Sequence, residues 1–217
     1  MHPARFSCLV AGALFLAGCA ASPAPGPRAK YTLGDFEKPD APQPLRIDDP
    51  LQGLNQTLYR FNYYFDRFLF LPVVDAYEFV MPAFGQHRVS NFLDNVGELK
   101  NFTNAALQLK GEATGTTLAR FLINSTVGVA GLWDPATGLG LQRQDEDMGQ
   151  TFGHYGVGNG PYLVLPVLGP SNARDTAGLV GDGAVFSAVD PLNFDHNDLE
   201  TPYYAVYAID ARRRQPF

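Results

Sequence analysis

Cysteine is almost absent. The 217 residues hold two, Cys8 and Cys19, both within the first twenty. That excludes a disulfide framework and a cysteine-bound metal from the body of the chain. Histidine is scarce as well. His2 lies in the leader, and His87, His154 and His196 stand at no metal-ligand spacing. Basic residues are too few for a nucleic-acid surface: 16 Lys and Arg against 22 Asp and Glu, a net charge of −6. The one basic cluster, Arg212-Arg213-Arg214, reads as the solvated end of a last helix, where cations suit the dipole. No Gly-Lys-Ser/Thr phosphate loop occurs, no Gly-x-Ser-x-Gly elbow and no calcium loop. No run of 18 apolar residues exists, so no transmembrane helix is expected. The glycines Gly156, Gly158 and Gly160 precede an apolar extended run instead of following a strand, and read as a turn, not a dinucleotide fingerprint. A triad assembled in space would have to draw on His154 with Asp175 or Asp190. His154 reads better as the cap of a glycine turn. The expectation is a protein that is not an enzyme and uses no metal or cofactor.

What the chain does contain begins at its start. "MHPARFS" carries Arg5, "CLVAGALFLA" (8–17) is apolar, and Leu16-Ala17-Gly18-Cys19 comes next. Basic start, short apolar core and small residues make a secretory signal. Ten residues at about 1.5 Å each fall far short of a bilayer core of about 30 Å. The last four residues resemble a bacterial lipobox. The reading is a signal peptide, 1–18, cut before Cys19, which then carries diacylglyceryl and N-acyl groups. Several chains anchor more firmly than one, at about 0.8 kcal/mol per buried CH₂. Ala20 in the second mature position, in place of Asp, favours the outer membrane. Residues 20 to 44 hold six prolines, so 19–45 reads as an extended, semi-rigid tether.

From residue 46 to 217 the chain reads as one domain without internal repeats. Asp49 is the expected N-cap of a helix with Pro50 at its first position. Leu54, Leu58, Phe61, Phe65, Phe68 and Leu69 fall on one stripe of that helix. Tyr59, Tyr63 and Phe70 form a second stripe nearly opposite, with Asn55, Asn62, Arg60 and Arg67 between. Two apolar faces mean burial between layers, or one face on protein and one on lipid. Pro72 and Pro82 should divide the next stretch of chain into shorter helices. Residues 87–128 read as three helical pieces, with Gly97 and Gly111 as ends. Thirteen of 22 glycines lie between Gly128 and Gly183, so this half depends on tight turns. Asp145, Glu146 and Asp147 should open a short helix, Ser171 should cap another, and a last helix should start near Asp198.

Four stretches taken together resemble the MlaA (VacJ) family: "DPLQGLNQTLYRFNYYFDRFLFLPV", "VSNFLDNVGELKNFTNAALQLK", "ARFLINSTVGVAGLWDPA" and "DEDMGQTFGHYGVGNGPYLVLPVLGPSNARD". The likeness runs from about Asp48 to Arg212. It implies an all-α fold: a single ring-like multi-helix domain lying in the outer membrane, with a Gly/Pro-rich loop region, a polar channel and no transmembrane helix. It implies partners too, namely glycerophospholipids, a trimeric outer-membrane porin and a soluble periplasmic lipid carrier, with no nucleic acid. Such a protein takes mislocalised phospholipid from the outer leaflet towards the inner membrane. It carries no nucleotide and no catalytic residue. A passage for lipid needs polar groups beside apolar ones. On that ground Asn62 and the glycines Gly156, Gly158 and Gly160 are candidates for the lipid path or its gate, and the stripe Leu54, Leu58, Phe61, Phe65 and Phe68 faces membrane or core. Members of the family usually continue beyond the last helix, whereas this sequence stops at Phe217; a natural short form, a truncated gene model or a frameshift would each produce that, and the closure of the ring on its C-terminal side stays open. The other function class is an envelope scaffold that binds porins without moving lipid.

Overall fold

Asp49 starts the first helix from outside it. Its carboxylate accepts from the Leu51 N–H and from Asn55 Nδ2, both at 2.9 Å. Helix α1 then runs Gln52–Phe65 with Leu51, not Asp49, at the cap position. The computed structural model describes residues 49–194 and 197–215. The signal 1–18, Cys19, the tether to residue 45 and His196 lie outside the described residues.

Phe65 does not end the helical path. Asp66–Phe70 widens into a π turn, and α2, Leu71–Val80, continues from it. Pro72 therefore breaks nothing, contrary to the sequence expectation. It sits in the first turn of α2, where the wider turn accommodates a residue with no N–H. Pro82 does break the path. Met81 is extended, and the run Gln52–Val80 meets α3, Ala83–Leu107, at 117°. Helix α3 passes through Gly97 without interruption, and Gly111 opens α4, Gly111–Thr126, instead of ending a helix. Packing of the long α3 outweighs the modest helix cost of one glycine. Two short helices come after it, α5 (Pro135–Gly138), capped by Asp134, and α6 (Met148–His154), capped by Asp147 as expected. An antiparallel hairpin comes next, β1 (Tyr162–Leu165) and β2 (Gly169–Asn172), with Tyr162 opposite Asn172 and Leu165 opposite Gly169. The cap of α7 (Ala173–Val189) is Asn172, which accepts from the Asp175 N–H at 2.9 Å; the cap moves one residue on from Ser171. Helix α8, Glu200–Arg213, ends the fold.

Helices with one small hairpin make this an all-α fold. The elements pack in a closed circuit. Helix α1 lies on β1, β2 on α7, α7 on α3, α3 on α8 and α8 on α2, which returns to α1 through the π turn. Helix α4 packs along α3, and α6 against α7.

The interior is polar. Among the described residues the buried apolar side chains are seven: Val74, Leu93, Val96, Ala105, Ala136, Met148 and Val164. Fifteen polar or charged residues are buried beside them, Glu98, Asn101 and Thr117 at 0% exposure. Meanwhile 29 large apolar side chains are exposed, Phe79 at 91% and Phe68 at 69%. A water-soluble fold distributes these classes the other way round. No single helix is long and apolar enough to cross a membrane; only the bent pair 52–80 and 83–107 meets that test jointly. Leu54, Phe61 and Phe68 are exposed, Leu58 and Phe65 half-buried. The residue of α1 that points inward is Asn55.

Candidate functional site

The site is a polar seam built on α3. Positions 86, 90, 93, 97, 101, 104 and 108 advance in steps of four and three, so they form one line along the helix. They are Gln86, Ser90, Leu93, Gly97, Asn101, Asn104 and Gln108, and all but Gly97 are buried. Helix α4 answers with Thr117, Arg120 and Asn124 on its buried face, while Leu118 and Leu122 look outward. Both helices thus invert the usual amphipathic arrangement.

Arg120 is the centre of one half of the seam. Its Nε donates to Glu98 Oε1 at 2.7 Å. Nη1 donates to Thr137 Oγ1 at 3.0 Å and to the Leu141 carbonyl, and Nη2 to Asp134 Oδ2 at 3.1 Å. Asn124 completes the set, donating to Asp134 at 3.0 Å and accepting from the Ala136 N–H at 3.1 Å. Burial pushes the Asp134 carboxyl up, but hydrogen bonds from Thr137, Arg120 and Asn124 outweigh it and hold the pKa below the ordinary 3.8. Burial raises the Glu98 carboxyl above its ordinary value, against the hydrogen bonds of Arg120 and Asn101, which lower it; Asn95 Oδ1 remains buried without a partner.

The other half joins α3 to α6 and α7. Asn104 donates to Asp182 at 2.7 Å and accepts from Thr151 Oγ1 at 2.8 Å. Gln108 donates to Glu146 and Thr151 at 2.9 and 3.0 Å, and Lys110 reaches both Glu146 oxygens at 2.7 and 2.9 Å. A hydrogen-bonded chain therefore runs from Asp182 to Lys110, which is part-exposed at the end of the seam.

Two of the three clustered arginines, Arg212 and Arg213, are held away from water, which corrects the sequence reading for them; Arg214 is exposed. Arg212 forks onto Asp66 of the π turn through Nε and Nη2 at 2.6 and 2.9 Å. Arg213 donates to Asp210 at 2.8 Å and to Ser90 at 2.7 Å. Arg214 reaches Asp94 at 2.9 Å and also pairs with Asp210. Asp94 in turn pairs with Arg143. Burial raises Asp210, but Ser90, Arg213 and Arg214 outweigh it and lower its pKa from the ordinary 3.8. In a fold whose interior is polar, the charged end of a helix is where it attaches.

Of the candidate path residues, Asn62 and Gly160 lie at opposite ends of the hairpin. Asn62 grips the tip: its Nδ2 donates to the Leu165 carbonyl at 2.8 Å and its Oδ1 accepts from the Val167 N–H at 2.7 Å. That bond supports Val167 at φ +68°, an unfavourable conformation for a β-branched residue. Asn55, seven residues earlier, holds Tyr162 and Val164 in the same way at 3.1 and 2.9 Å. Gly160 lies at the base, in an open groove of about 420 Å³ that it shares with Asn159, Tyr162, Pro170, Ser171, Asn172 and Asp175. Gly156 and Gly160 have φ of +87° and +68°, and at Gly156 and Gly158 an added Cβ would meet nothing within 4 Å. His154 packs edge-on against Tyr155, whereas Asp175 pairs with Arg174 and Asp190 accepts from the Phe194 N–H. The structure assembles no triad from them. Among the described residues no group of three or more His, Cys, Asp or Glu is placed to hold a metal.

The seam itself was not anticipated from the sequence. Its signal was present: Asn, Gln and Ser recur at helical spacing along α3, and Thr117, Arg120 and Asn124 do so along α4. That period belongs to polar residues, where the usual search follows apolar ones.

Residues 47–216 match the family described as MlaA lipoprotein. An uncharacterized protein of Rickettsia prowazekii (strain Madrid E) is 37% identical over 170 residues, covering 77% of this chain and 66% of that protein. The protein of Escherichia coli (strain K12) named "Intermembrane phospholipid transport system lipoprotein MlaA" is 34% identical over 184 residues, covering 82% of this chain and 66% of that protein. The chain spans just under two thirds of the length of these relatives. A solved structure described as "Structural basis for maintenance of bacterial outer membrane lipid asymmetry" superposes with a TM-score of 0.66 at 31% identity, covering 77% of this chain and 84% of that one.

Proposed function

Because the chain belongs to the MlaA lipoprotein family, we propose that it is an outer-membrane lipoprotein that maintains lipid asymmetry. It removes mislocalised glycerophospholipids from the outer leaflet and passes them to a soluble periplasmic carrier. Cys19 carries the acyl anchor, and a trimeric porin is the partner in the membrane. The protein acts by binding and guiding, without catalysis.

The observation that carries this reading is the inversion of polarity. Polar groups at membrane depth must find partners or line a wet space. Here they line α3 and α4, and Asn95 Oδ1 on α3 is buried with no protein partner. A phospholipid needs that pairing, because its headgroup is charged and its tails are not. The exposed apolar side chains of α1 and α2 suit acyl chains.

The test is phospholipid exposed on the cell surface of a deletion strain, read with a headgroup-reactive probe that cannot cross the outer membrane. Complementation uses the intact gene and Cys19→Ala. A rise on deletion, reversed only by the intact gene, is expected. No rise, in a strain that normally makes the protein, would move the function to an envelope scaffold that binds porins without moving lipid.

A further inference from the structure

One Asn-Gly pair occurs in the chain, Asn159-Gly160, where the glycine loop meets β1. In such a pair the glycine nitrogen is free to attack the asparagine side-chain carbon, because the glycine has no Cβ to shield it. Asparagine is the thermolabile residue that results. The fold leaves this reaction open. Asn159 is exposed, and residues 157–160 belong to no helix or strand. Among the described residues no hydrogen bond engages the Asn159 side-chain amide or the Gly160 N–H. The fold also fixes the glycine. Gly160 has φ +68°, and a Cβ there would lie 2.9 Å from the Ala173 Cβ. The reactive pair is therefore removable without strain only at its asparagine. Asn124-Ser125 is the contrast, since a small residue follows that asparagine too. It lies within α4 at 3% exposure. Its Nδ2 donates to Asp134 at 3.0 Å and its Oδ1 accepts from the Ala136 N–H at 3.1 Å. An amide gripped on both atoms within a helix does not reach ring geometry.

We propose that Asn159 is a site of spontaneous covalent modification, converted through a cyclic imide with Gly160 to aspartate and isoaspartate. The Gly160 nitrogen loses its proton to solvent base and bonds to Asn159 Cγ. The Cγ–Nδ2 bond breaks, and the amide nitrogen leaves as ammonia. Water then opens the ring. Attack at Cγ leaves an aspartate; attack at the main-chain carbonyl carbon leaves Gly160 linked through the side chain and the α-carboxylate free. Each product adds a negative charge to the groove that Asn159 shares with Asp175. The isoaspartyl form also lengthens the main chain by one methylene. It does so between two tethers to the start of α7: the Arg174 N–H on the Asn159 carbonyl and the Ala173 N–H on the Pro161 carbonyl, both at 3.1 Å. The acceptor of the first becomes a carboxylate standing off the chain. An aged molecule thus carries a more acidic and looser loop base, whether or not the protein moves lipid.

The test is peptide mapping by mass spectrometry of the full lipidated protein, kept folded in detergent and aged at constant temperature in mildly acidic and mildly alkaline buffer. Digestion in heavy-oxygen water marks any conversion that happens during handling. The peptide carrying Asn159 should gain the mass that separates an acid from its amide. It should resolve into two isomers, and accumulate severalfold faster in the alkaline buffer, since the Gly160 nitrogen must lose its proton. The peptide carrying Asn124 should keep its mass over the same period. Asn159→Gln, whose ring would need a sixth member, should keep its mass too. A synthetic peptide spanning residues 155–165 gives the rate without the fold. A folded protein whose Asn159 stays intact while that peptide converts would overturn the site, because the fold then shields it. Conversion at Asn124 as fast as at Asn159 would overturn the part assigned to exposure. A single aspartate product would overturn the cyclic imide. A stable Asn159 in a protein that still clears surface phospholipid in cells would sink this site and leave the transport reading standing.

Discussion

Arg120 makes four side-chain and carbonyl contacts across α3, α5 and the loop after it. Lysine has the charge but cannot reach four acceptors from one nitrogen. Removing the cation leaves the fully buried Glu98 carboxylate with no counter-charge in the pair and strips Asp134 of one donor. Breaking a buried pair from one side costs about 3–5 kcal/mol. Arg120→Met is therefore expected to lose that much in denaturant unfolding followed by circular dichroism in detergent, and Arg120→Lys to recover only part of it. Asp210 adds a pH dependence with a definite sign. Its folded pKa lies below the ordinary 3.8, so its contribution is full above that value and is lost as pH falls through the folded pKa. Below pH 3.8 wild-type stability should fall. Asp210→Asn should start lower at neutral pH and show a flatter acid limb; an acid limb as steep as wild type would rule out Asp210 as its source.

At the scale of elements, glycine serves two purposes that one sequence motif cannot separate. Gly178 of α7 faces Gly149 of α6 so closely that a Cβ would lie 2.6 Å from the Gly149 Cα. Backbone cannot yield as a side chain can, so Gly178→Ala should cost about 1–3 kcal/mol and prise α6 from α7. Gly158 has open space around it. Gly158→Val should leave unfolding and protein level unchanged, which makes it a clean probe of the proposed gate. Lost clearing of surface phospholipid supports the gate, and normal clearing removes it. Much of the element order was legible in the sequence: the cap at Asp147, the break at Pro82, the extended run after the glycines, and the last helix. The π turn was not, because Pro72 reads as a stop unless the backbone ahead of it can widen. Nor was the attachment role of Arg212–Arg214, since composition rules assume that charge seeks water. The partners Asp66, Asp94 and Ser90 lie more than a hundred residues away from these arginines, and only the fold brings them together.

The described residues close a circuit from α1 through the hairpin, α7, α3, α8 and α2. Hydrogen bonds and ion pairs hold several of its joints: Asn55 and Asn62 at the hairpin, Asn104–Asp182 between α3 and α7, and Arg212–Asp66 at the return. Joints of that kind compete poorly with water on an exposed surface and well in a medium that offers no hydrogen bonds. The apolar side chains, excluded from the interior, then provide the outer surface. On the proposed placement in the outer membrane, the bilayer becomes part of the fold and not only its address. A version of the chain in which residues 1–45 are replaced by a cleavable non-lipid signal separates the two roles. If Cys19 alone held the protein to the membrane, this version would be released as a soluble periplasmic protein. The 29 exposed apolar side chains predict that it stays with the membrane fraction through high-salt and alkaline washes, and leaves only with detergent. Release by salt would mean that the surface binds through charge, and release without any wash would mean that the exposed side chains face something other than lipid.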